Sequence, residues 1–262
     1  MSTLREPGVA TSANTASPTS PARWWEPALL PGRWTPVLLG VVVALVSAHL
    51  LVNAVGQSSV AFNGLGFLSR WLDVDREMGL PAWFSSVLLF LCAQALWLLA
   101  DRSRQGDRHR WAPRERLLSV VFVYLSIDEL TSVHEQTIDP LREALDLGGV
   151  LTFAWVLLAL PLVAALGLYF VPYLVALPSP VRNLMALSGL LYVGGAAGVE
   201  MVGAQIWSEG GAETMLFSTV VALEEGLEML GAVLFLAVVT WLRTAGSRPA
   251  GPRPAPGAGS PG

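Results

Sequence analysis

The chain contains no lysine; all sixteen of its basic residues are arginine, which reads as the codon usage of a GC-rich genome rather than as chemistry. Charge of either sign is scarce: 14% of the 262 residues are charged, where a soluble domain carries roughly a quarter. With 53% hydrophobic residues, that scarcity excludes a soluble globular domain and leaves a polytopic membrane protein with no nucleic-acid partner. The single cysteine, Cys92, excludes an internal disulfide and any cysteine-based metal or redox motif. No internal repeat is visible, so the inverted-repeat signature of many secondary transporters is not evident. A cleavable signal peptide is not expected, because no short apolar core directly follows a positive amino-terminal stretch.

What the chain does have is long apolar runs. Six of them, at about 36–56, 82–100, 117–138, 151–172, 184–205 and 215–241, are long enough to cross a hydrocarbon layer of ~30 Å. Residues 1–35 and 242–262 are rich in Ser, Thr, Pro, Ala and Gly and read as disordered tails, with Trp24, Trp25 and Trp34 at the membrane interface. Arginine placement orients the runs. Arg5, Arg23, Arg33, Arg102, Arg104, Arg108, Arg110, Arg114, Arg116, Arg182, Arg243, Arg248 and Arg253 fall on one side, and Arg70, Arg76 and Arg142 on the other. Under the positive-inside rule the expectation is an all-α, six-helix transmembrane bundle of the bacterial cytoplasmic membrane, both termini cytoplasmic. The segment 58–81 reads as an amphipathic interfacial helix or a plain connector.

Acids interrupt three of the runs: Asp128, Glu129 and Glu135 in YLSIDELTSVHEQ, Glu200 in GGAAGVEMVGA, and Glu224, Glu225 and Glu228 in VALEEGLEMLG. Ionisable groups inside a membrane are costly and mark function by default. At 1.5 Å per residue from the cytoplasmic end, Asp128 and Glu129 lie ~17 Å deep, Glu135 ~27 Å, Glu200 ~24 Å and Glu224 to Glu228 ~20–25 Å. Helices running in opposite directions therefore bring their acids to one level. With no basic partner at that level, the acids must be protonated, share protons, or bind a cation.

Several carboxylates with one imidazole suit iron, manganese or zinc better than calcium or magnesium. The expected ligands of such a divalent ion are Asp128, Glu200, Glu225 and Glu228, then His134 and Glu135, with Glu129 or Glu224 as a general base. The Glu-x-x-His spacing of soluble dinuclear bundles is missing. Two other readings stand beside this one: passage of protons or cations, and polar glue between helices. Three smaller features read as structural. His49 and Asn53 fit a helix–helix hydrogen bond, Trp155 packing or a lipid contact, and the Gly194–Gly198 spacing a close helix crossing. Pro161 is expected to kink its helix.

The segments SIDELTSVHE, GGAAGVE and ALEEGLEMLG, in that order, resemble a group of uncharacterised bacterial polytopic membrane proteins over about residues 115–241. A wider similarity is to the membrane hydrolase superfamily that includes alkaline ceramidases, which hold zinc in a helical bundle through His and Asp. This chain has six expected helices where that superfamily has seven. It offers Glu224, Glu225 and Glu228 where the superfamily has a histidine pair. The resemblance thus implies only a buried hydrolytic metal and assigns no residue a role. The leading expectation is a metal-dependent membrane enzyme acting on a lipid or lipophilic substrate; the alternatives are a proton- or cation-coupled transporter and an accessory membrane protein.

Overall fold

Proline and glycine set the helix starts. Leu80-Pro81, Ala112-Pro113 and Ser179-Pro180 each place proline in a first turn, where its missing N–H costs nothing. In the computed structural model, which describes residues 34–58, 71–74, 76 and 79–245, the resulting elements are all helical. They are α1 (Thr35–Ser58), α2 (Leu80–Gln105), α3 (Ala112–Thr131), α4 (Ile138–Leu145), α5 (Val156–Val175), α6 (Ser179–Val193), a π turn (Gly194–Val199), α7 (Glu200–Ser208) and α8 (Met215–Ala245). Five helical stretches are long and apolar enough to cross a membrane, and a sixth if the bent 109–145 pair counts as one. The expected tails and most of the expected interfacial helix lie outside the described residues.

Helix α8 is the hub, packed against α1, α2, α6 and α7. Its buried Met229, Ala232, Val233, Leu236 and Val239 meet Leu88, Leu89, Cys92 and Leu96 of α2 in the core. Cys92 donates its thiol to the Ala232 carbonyl (3.4 Å). The Arg102 guanidinium donates to the Arg243 carbonyl, so α2 and α8 run the same way and end together. Helix α1 runs against α8, because His49 near its far end reaches the Ser218 carbonyl near the start of α8 (3.3 Å).

Helices α2 and α3 are stitched by serines. Ser86 and Ser126 each donate a hydroxyl to the other's carbonyl (2.6 and 2.8 Å), and Ser119 donates to the Ala93 carbonyl (2.8 Å). In a lipid environment apolar surface gains little by leaving lipid for protein, so such bonds and small residues draw helices together. Close approach is carried by Gly195 and Gly231. A Cβ on Gly231 would stand 2.8 Å from both the Ser188 carbonyl and the Tyr192 nitrogen. A Cβ on Gly195 would stand 2.8 Å from the Glu224 carbonyl. Around Gly194 and Gly198, the glycines expected to mark the crossing, a Cβ would meet nothing within 4 Å.

One other expectation is corrected. The run 117–138 is not one helix: α3 ends at Thr131, Ser132 turns left-handed (φ 44°), and the chain leaves at 72° toward Glu135–Leu145. The run 184–205 lies within one apolar helical stretch, Ser179–Ser208, which includes a π turn just before Glu200. Helix α5 carries both Pro161 and Pro172 within its length.

Candidate functional site

The break at Ser132 builds the first part of the site. As a continuous helix, residues 128 and 134 would point about 120° apart. The left-handed Ser132 instead folds the chain back, with its own N–H on the Asp128 carbonyl (2.7 Å). His134 then donates its backbone N–H to Asp128 Oδ1 (3.0 Å), and its Nδ1 lies 2.6 Å from Oδ2. The imidazole rests against the Trp155 ring, centroids 4.7 Å apart. Trp155 carries the connection on, donating its indole N–H to Glu200 Oε1 (2.8 Å). Asp128, His134, Trp155 and Glu200 thus form one linked row contributed by α3, the turn after it, the start of α5 and the start of α7.

The second part lies between α2, α3, α6 and α8. Glu129 and Glu228 line one crevice with Ser85, Leu88, Leu89, Tyr192, Met229 and Ala232, and it is too tight to admit a water-sized body. The foremost charged neighbours of Glu228 are Glu225, Glu129, Glu224 and Glu200, all acids. The π turn sets this spacing. Its extra residue brings the Gly195 backbone against the Glu224 carbonyl and the Glu228 Cγ, so α6 and α8 close on each other at the acids.

The expected residues therefore divide. Asp128, His134 and Glu200 sit in the linked row; Glu129 and Glu228 share the crevice, with Glu224 and Glu225 in electrostatic reach of Glu228. Glu135 is exposed, in electrostatic reach of His134, and opens on an outer hollow with Asp139, Arg142, Phe153 and Trp207. Among the described residues, no three His, Cys, Asp or Glu side chains converge closely enough to hold a metal ion.

Sequence reasoning missed Trp155 and Tyr192 as members of the site. In the sequence Trp155 reads as packing or a lipid contact, although an indole N–H at a helix start in an apolar setting needs an acceptor, and Glu200 supplies it. Tyr192 had one signal, a phenol on the same apolar run as Glu200. His49 takes the structural role expected of it. It is 2% exposed, and its Nδ1 accepts from the Val74 N–H (3.2 Å) and lies 3.1 Å from Asp73.

No curated protein and no solved structure matches the chain. A family model does match, over nearly all of the helical part of the molecule. It is a domain of unknown function (DUF8692) that covers residues 37–242, and the chain belongs to that family.

Proposed function

We propose that this protein spans the bacterial cytoplasmic membrane six times, both termini inside, and that its acid layer loads and releases protons as part of a proton-coupled function. One observation carries the reading: Glu129 and Glu228 share a crevice with no water-sized space, and the foremost charged neighbours of Glu228 are other acids. Carboxyl groups so placed cannot all ionise; they hold protons in common and titrate as a set. Exposed Glu135 follows His134, the partner of Asp128, which favours an outlet through this pair to the side opposite the arginine-rich loop.

The test is infrared spectroscopy of the protein in a lipid film, scanned through pH. A protonated-carboxyl carbonyl band should appear and titrate in the native protein, and it should diminish in Glu129→Gln and Glu228→Gln. An unchanged band in both folded variants would overturn the reading.

A divalent metal centre of iron, manganese or zinc is the second reading, favoured by the Asp128–His134 pair. A carboxylate on one ring nitrogen is the usual support for a histidine that ligates metal through the other. Glu129, Glu135, Glu200, Glu224, Glu225 and Glu228 would supply oxygens after rearrangement. Elemental mass spectrometry decides this: stoichiometric metal in the native protein, lost in folded Glu225→Gln/Glu228→Gln, would replace the proton reading.

A further inference from the structure

One buried acid stands outside the loading site. Glu115, in the first turn of α3, is 1% exposed and lies at the arginine-rich end of the molecule. Its Oε1 accepts from the Tyr173 hydroxyl (3.1 Å) and from Arg108 Nη2 (3.4 Å). Its Oε2 is buried and has no hydrogen-bond partner. Burying a carboxylate oxygen unpaired is expensive, and a fold that needed only the Arg108 contact would leave both oxygens nearer the surface. The Arg108 side chain is itself 38% exposed, so solvent lies one residue beyond Glu115.

Glu115 also shares a line with the loading site. Residues 115, 119, 122, 126 and 129 fall within an arc of about 80° on α3. Four of the five are polar: Glu115, Ser119, Ser126 and Glu129. The fifth, Phe122, stacks on Phe235 of α8 with ring centroids 4.6 Å apart. Two acids at opposite ends of one helix face, ~21 Å apart, thus have two serines, each bonded to an α2 carbonyl, and a single aromatic ring between them.

Resting on the proton-loading reading, we propose that Glu115 is the proton station of the arginine-rich side, and that this face of α3 is the route connecting it to Glu129 and Glu228. A proton taken up from the opposite side passes from the shared carboxyls past Ser126 when the Phe122–Phe235 stack opens to water. It then adds to Oε2 of Glu115 and leaves to solvent beside Arg108. The Arg108 charge and the Tyr173 hydroxyl stabilise the carboxylate that remains, so release restores the starting state. One proton crosses and no other reactant is needed.

The experiment is proton flux into proteoliposomes of the full chain, read by a trapped pH dye under an imposed potassium diffusion potential. The native protein should conduct, and Glu115→Gln should reduce the flux at least about tenfold. The titrating carboxyl band of Glu129 and Glu228 should persist in that variant. Phe122→Ala, which leaves the Glu115 contacts intact, should raise the flux and decides the matter if Glu115→Gln does not fold. Native flux in Glu115→Gln, or no change in Phe122→Ala, would overturn the proposal. A titrating band in a native protein that carries no flux would overturn this route and leave the loading site standing. Flux with no titrating band would instead sink the loading site.

Discussion

Helices α5 and α8 are both long and apolar enough to cross a membrane, yet they are held in opposite ways. Half of the α8 span is buried inside the protein, against 17% of the α5 span. Helix α8 carries three acids and glycine contacts with α6 along its length, whereas α5 has no acid and turns Leu158, Leu160, Leu162 and Leu168 outward. Its polar ties lie near its ends, Trp155 to Glu200 at one and Tyr173 to Glu115 at the other. The difference teaches that apolarity admits a helix to the membrane without deciding its place there. Lipid satisfies a leucine as well as protein does, so the central position goes to the helix with small residues and polar groups to match.

The strongest way to break the comparison is to truncate one leucine on each helix. Leu236 of α8 is 2% exposed and Leu168 of α5 is 74% exposed. Leu236→Ala leaves a cavity among packed neighbours and should cost roughly 2–5 kcal/mol. Leu168→Ala removes a group that faces away from the protein and should change stability by less than about 0.5 kcal/mol. Reversible unfolding in mixed micelles measures both, and equal losses would mean that α5 is buried against something in the native protein.

Glycine gives the next contrast. A methyl on Gly231 of α8 would collide with backbone atoms of Ser188 and Tyr192, which cannot swing aside, whereas around Gly167 of α5 nothing lies within 4 Å. Gly231→Ala should destabilise by about 1–3 kcal/mol by forcing α6 away from α8. Gly167→Ala should be neutral or stabilise by up to about 1 kcal/mol through its better helix propensity. The same unfolding assay reads the pair, and a harmless Gly231→Ala would show that the α6–α8 contact is not tight.

Much of this division was legible in the sequence, and the failures have physical causes. The apolar runs marked every span to within a few residues except where a span is broken, because apolar length is what a bilayer measures. That Glu129 and Glu200 come into electrostatic reach of Glu228 was legible because rise per residue is fixed. The break after Thr131 was not: no glycine or proline stands there, and a serine at positive φ is uncommon. That one residue decides whether His134 meets Asp128. The choice of Gly194 and Gly198 for the helix crossing assumed an unbroken α-helix; the π turn adds a residue and moves the contact to Gly195. Glu115 carries no signal in the sequence, since it stands in an arginine-rich stretch where an acid is ordinarily an exposed partner.

A third prediction sharpens the view that α5 is held near its ends. Trp155→Phe keeps an aromatic ring beside His134 but removes the N–H that Glu200 accepts. The loss should cost about 1–3 kcal/mol, since a buried carboxylate oxygen of Glu200 loses the indole donor it accepts from. Adding Glu200→Ala to Trp155→Phe should cost less than the two single losses summed, because they share the bond. Strict additivity in that double-mutant cycle would mean the indole and the carboxyl do not interact.

The smallest effect belongs to Ser132, the residue that aims His134 at Trp155. Its left-handed backbone (φ 44°) costs serine on the order of 1 kcal/mol, and glycine adopts it freely. Ser132→Gly relieves that strain but also loosens the unfolded chain, whose greater freedom opposes folding by a similar amount. The two terms nearly cancel, so the net change should lie within about 0.5 kcal/mol of zero. Ser132→Ala keeps the strain and adds no freedom to the unfolded chain, so its stability should also stay close to that of the native protein. Proline at 132 is different in kind, since its ring fixes φ near −65° and removes the N–H that closes on the Asp128 carbonyl. That variant should straighten or unravel the end of α3 and separate His134 from Asp128, a change visible in the imidazole NMR shifts even where the protein stays folded. If proline and glycine at 132 gave the same imidazole signal, the left-handed turn would not be what holds the Asp128–His134 pair together.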